Sequence, residues 1–115
     1  MNTRYDLQNW LGDFASDVTD EQLDRLVDAA NTIDERWPDP DDRMLREAAL
    51  SAACQVILGD DTLEGIAEEW RKARRIERER MASLTGALIA TPGSERELAE
   101  RSGVARMTVR KAIGK

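Results

Sequence analysis

The chain has 115 residues, 23 acidic and 17 basic, with one cysteine and no histidine. That length suits one domain or two very small ones. A lone Cys54 excludes an internal disulfide, and the lack of any apolar run of about 18 residues excludes a transmembrane helix.

The net charge of −6 hides a split. Met1 to Glu69 holds 18 acidic and 5 basic residues, a net of −13, whereas Trp70 to Lys115 holds 12 basic and 5 acidic, a net of +7. This asymmetry predicts a basic binding end joined to an acidic end with a different task. The opening Met1-Asn-Thr-Arg-Tyr-Asp6 lacks the basic-then-apolar layout of a secretory signal. With one cysteine, the expected compartment is a reducing cytoplasm. Although 35% of the residues are charged, the apolar ones recur at helical spacing, so a folded chain is expected.

The elements read as helical from end to end. A first helix is expected from about Arg4 to Ala15, with Tyr5, Trp10, Leu11 and Phe14 on one side. Thr19 followed by Gln22 matches a capping box, in which the two side chains satisfy free N–H groups of the first turn. The helix it starts carries Leu23, Leu26, Val27, Ala30, Ile33 and Trp37, and Pro38 stops it. Asp39-Pro40 signals a third start. Its apolar face reads Met44, Leu45, Ala48, Ala49, Ala52, Val56 and Ile57, with Gly59 as a left-handed C-cap. Asp61 or Thr62 then caps a long helix reaching Ala90, with a stripe of Leu63, Ile66, Ala67, Trp70, Ala73, Met81, Leu84 and Leu88. Glu77 interrupts that stripe and marks a place where the helix is exposed or bent. Thr91-Pro92-Gly93 is a turn.

The stretch from Ser94 to Gly114 reads as two short helices with a break between them. Ser94 with Glu97 is a capping box opening the first, Glu95 to Arg101. Ser102-Gly103-Val104 forms the turn, where Gly103 supplies a positive φ. The second runs from Ala105 to Ile113. Ala99 is small where the helices cross, and Leu98, Val104, Val109 and Ala112 or Ile113 point into a small core. The expected fold is all-α: an acidic helical region over residues 1–61, then a long connecting helix and a C-terminal helix-turn-helix over residues 62–115, without a wing.

The run from Leu98 through Lys111, Leu-Ala-Glu-Arg-Ser-Gly-Val-Ala-Arg-Met-Thr-Val-Arg-Lys, resembles the helix-turn-helix of bacterial repressors of the lac-repressor type. It is also similar to C-terminal modules of small plasmid- and phage-type regulators. The similarity covers about twenty residues, or some twenty-five more if the end of the long helix supplies the first helix of the module. It departs from that pattern by lying at the end of the chain, with no following hairpin or hinge helix. The resemblance implies a second helix in the major groove of double-stranded DNA, its N-terminal residues facing base edges. Arg106, Met107 and Lys111 are then the base readers, Arg106 first, because arginine pairs bidentately with guanine. Ser94, Ala105, Thr108 and Arg110 support them, the polar ones by holding phosphates. Val109 faces inward.

Other signals are weaker. Arg71, Lys72, Arg74, Arg75, Arg78 and Arg80 either lie along a DNA backbone or form a solvated face with i, i+4 partners such as Glu68–Lys72 and Arg75–Glu79. The acidic clusters at Asp39/Asp41/Asp42 and Asp60/Asp61 lack the spacing of a calcium loop and read as helix caps, so no metal or other cofactor is expected. Without histidine, a phosphate loop or a nucleophile motif, an enzyme is not expected. The function implied is a sequence-specific DNA-binding transcriptional regulator, a homodimeric repressor, whose interface comes from the acidic region or the long helix, with Trp10 and Trp37 of the acidic region as the expected contacts. The alternatives are an adaptor whose acidic region docks a protein, and an architectural or partition protein of a mobile element.

Overall fold

The computed structural model describes residues 1–114. The described residues form six α-helices and two short 3₁₀ turns, with no strand. They are α1 (Arg4–Leu11), α2 (Asp20–Arg36), α3 (Arg43–Leu58), α4 (Leu63–Ala90), α5 (Glu95–Ser102) and α6 (Arg106–Ala112). The chain divides into two compact units at Glu68, inside α4. No helix of the described residues is long and apolar enough to cross a membrane.

In the first unit, α1 starts on a capping box between Thr3 and Asp6 and stops at Gly12, whose φ of 60° ends the helix. A 3₁₀ turn over Gly12–Asp17 replaces the helical continuation expected to Ala15. That break also corrects the expected apolar side. Tyr5 and Phe14 are each 69% exposed, whereas Leu7 and Leu11 are buried. Once the helix ends at Gly12, Phe14 no longer shares a face with Leu7 and Leu11, which meet α2 at i, i+4 spacing.

α2 follows its sequence pattern. The Gln22 N–H donates to Thr19 Oγ1 at 3.1 Å and the Thr19 N–H donates to Gln22 Oε1 at 3.0 Å, both halves of the box. Leu23, Leu26 and Ala30 are buried with Leu7 and Leu11. Each of the four buried leucines contributes about 1.5–3 kcal/mol by leaving water, and with Ala30 they form the centre of this unit. At the far end the Arg46 guanidinium donates to the carbonyls of Trp37 (2.8 Å) and Asp39 (2.6 Å), tying the α2–α3 turn to α3.

A 3₁₀ turn over Pro40–Asp42 precedes α3, so the α-helix begins at Arg43 and not directly at the proline. Its packing face matches the expected one at Ile57 and differs elsewhere. Leu50, Cys54 and Ile57 lie against the core, while Met44, Leu45 and Val56 are exposed. Apolar residues occur all round this helix, so the pattern does not set its phase, and contact with α2 does. Burial pushes the Cys54 thiol above the ordinary range, with a smaller contribution from the Asp60 charge. Gly59 closes α3 in the left-handed conformation, φ 80°.

α4 is a continuous helix of 28 residues. At its start the Gly65 N–H donates to Thr62 Oγ1 at 3.0 Å. The expected apolar stripe is not covered along its length. Residues 68–83 are all exposed, and burial returns at Leu84, Thr85 and Leu88.

Candidate nucleic-acid interface

The second unit has its own small core. Leu88, Leu98 and Val109 are buried together, one from each of α4, α5 and α6, with Leu84, Ala99, Val104, Ala112 and Ile113 packed around them. The inward positions expected from sequence are thus in place, and α4 supplies the third wall.

Local chemistry fixes the two short helices. The Glu97 N–H donates to Ser94 Oγ at 3.2 Å and caps α5, but the Glu97 carboxylate does not accept from the Ser94 N–H, so the expected capping box is only half formed. The Gly103 N–H donates to the Ala99 carbonyl at 2.9 Å, with φ 76° at Gly103. An L-residue takes that angle only at a cost, which explains glycine at the corner. Ser102 Oγ donates to the Leu98 carbonyl at 2.7 Å and accepts from the Val104 N–H at 3.4 Å, so one hydroxyl bridges the end of α5 and the turn.

With Val109 fully inside, the helical period puts Met107 and Lys111 on the opposite side and Arg106 and Arg110 on the flanks, and all four are exposed. Thr108 is half-buried, and Ala105 is the exposed N-cap of α6, without a side-chain cap. The sequence-predicted base readers Arg106, Met107 and Lys111 therefore share one short, solvent-facing helix. Ser94 stands apart from them at the start of α5, its hydroxyl engaged in the cap.

Glu95 was not anticipated. Its carboxylate accepts two bonds from Arg110, from Nε at 3.2 Å and from Nη2 at 3.1 Å. Arg106 Nη2 lies 3.9 Å from the same carboxylate. The hydrogen bonds to Glu95 and its charge hold the Arg110 guanidinium pKa above its ordinary value. One carboxylate thus braces the start of α5 against α6 and offsets part of the positive charge of α6. The only sequence signal for it is an acid in the first turn of α5, since its partner is fifteen residues away.

On α4, Arg71, Lys72, Arg74, Arg75, Arg78 and Arg80 are exposed. Lys72 Nζ pairs with Glu69 at 3.4 Å, and Arg74 lies over the Trp70 ring at 5.3 Å. In the acidic unit, Trp10 packs against the core and its indole N–H donates to Glu47 at 3.2 Å. Trp37 is half-buried beneath Arg36. No group of three or more potential metal ligands is brought together among the described residues. Comparison with protein-family models, curated proteins and solved structures found no match.

Proposed function

We propose that the end of α4 with α5 and α6 acts as a helix-turn-helix that binds double-stranded DNA, and that the protein is a small transcriptional regulator. The observation that carries this reading is the division of α6. Val109 is locked into a three-helix core, while Arg106, Met107, Arg110 and Lys111 face solvent. A short helix held rigidly by its back and basic on its front is what entry into a major groove needs. Arg106 reads guanine, Met107 touches a thymine methyl, and Lys111 reads or pairs beside them. Thr108 holds a phosphate, while Arg110, bound to Glu95, stands beside it without a phosphate of its own. The basic charge of residues 70–115 supports the same reading, because phosphate neutralisation supplies most of the affinity for DNA.

The test is fluorescence anisotropy with a duplex from upstream of the protein's own gene against a scrambled duplex, near 0.15 M salt, beside Arg106→Ala. A preference of about a hundredfold that the substitution abolishes is the expected result. No binding to either duplex, even at low salt, overturns the proposal. Equal, salt-sensitive binding to both refutes sequence reading and favours an architectural role.

A further inference from the structure

We infer that α4 pairs antiparallel with α4 of a second copy, through a face centred on Arg74 and Glu77. Trp70, Arg74, Glu77 and Met81 follow one another at intervals of four, three and four residues, the spacing of a two-helix seam. Trp70 is 61% exposed and Met81 43%. Arg74 already lies over the Trp70 ring, which keeps its guanidinium on this face. Glu77 makes no hydrogen bond or ion pair among the described residues.

Charge selects both the occupant and its direction. A parallel pair sets Arg74 against Arg74 and Glu77 against Glu77, placing like charges together in the seam. An antiparallel pair sets Arg74 opposite Glu77 of the second copy, and by symmetry Glu77 opposite Arg74. The same register places Trp70 on Met81, a sulfur–aromatic contact. One register therefore suits both layers. Two-fold symmetry also makes each favourable contact occur twice. Along one edge Arg71 comes opposite Arg78, a like-charge contact that a bound polyanion relieves.

This pairing deepens the proposed function by replacing Trp10 and Trp37 with α4 as the surface that joins two copies. The pairing itself does not require DNA, so it is measured without it. The experiment is sedimentation equilibrium of the full chain without DNA, on wild type, Arg74→Glu, Glu77→Arg and the double exchange, with circular dichroism confirming unchanged helix content. Wild type is expected to dimerise. Either single exchange replaces two attractive contacts by two repulsive ones and weakens the dimer about tenfold. The double exchange restores the opposite pairs and recovers dimerisation. A monomeric wild type overturns the proposal. So do single exchanges that dimerise as well as wild type, or a double exchange as weak as the singles. DNA binding by a monomeric wild type would sink the pairing and leave the DNA reading standing.

Discussion

Val109→Ala is the sharpest test of how α6 is held. Val109 is 0% exposed, with Leu88 and Leu98 as its buried neighbours. Removing two carbons at about 0.8 kcal/mol each costs about 1.6 kcal/mol of burial. Incomplete collapse of the space left behind adds up to about 1 kcal/mol. The better helix propensity of alanine returns about 0.5 kcal/mol, leaving a net loss near 2 kcal/mol. Because the two cores share no buried residue, the loss should fall on the second unit alone. Residue-resolved amide hydrogen exchange on the full chain separates them. Protection of the α5 and α6 amides, Gly103 N–H among them, is expected to fall about thirtyfold, while α2 amides keep theirs. A fall below about threefold in α5 and α6 would refute the reasoning that Val109 anchors the helix. An equal fall in α2 would refute the independence of the two cores.

Two further outcomes are expected. Glu95→Gln removes the carboxylate that engages Arg110 and lies near Arg106. If Arg110 is thereby freed for a phosphate, the slope of log affinity against log salt should steepen by about 0.9, read by anisotropy across a salt series, and an unchanged slope would show that Glu95 does not compete with DNA. In the first unit, hydrogen bonds donated by Arg4 hold the Asp24 carboxylate below its ordinary range, with the Arg4 charge adding to them. A lowered folded value means that this contribution is present above the unfolded aspartate range and fades as pH falls through the folded value. The stability gap between wild type and Asp24→Asn should therefore be seen at neutral pH and close below about pH 4 in denaturant titrations. A gap that persists there would show that the carboxylate charge is not its source.

What was legible in the sequence was mostly local. Thr19 with Gln22, Gly59, Ser94 and Gly103 act within a few residues of their own position, and each sits where its chemistry places it. The inward turn of Val109 and the outward turn of Met107 and Lys111 follow from helical period, whereas Arg106, one turn before Val109, is on a flank whose exposure period does not set. What was not legible depended on distant partners. α3 is apolar on several sides, so only contact with α2 adds Leu50 and Cys54 to the expected Ile57. In α1 the aromatic residues drew attention from Leu7, and one positive φ at Gly12 put Phe14 off the packing face. Glu95 meets Arg110 across fifteen residues, a separation that no periodicity reports.

The exposed middle of α4 has one more consequence, which concerns length. In the antiparallel register the symmetry point falls between Arg75 and Ile76, and Leu88, the α4 residue in the second core, lies beyond it on each copy. At 1.5 Å per residue the two Leu88 positions stand roughly 37 Å apart along the helix pair, close to the ~34–36 Å of one DNA turn. α4 would then act as a ruler, setting which spacing of half-sites two copies can span at once. Seven residues inserted between Met81 and Leu84 would preserve the seam yet lengthen the ruler by about 21 Å. That is roughly six base pairs, enough to carry one reading helix to the opposite face of the duplex.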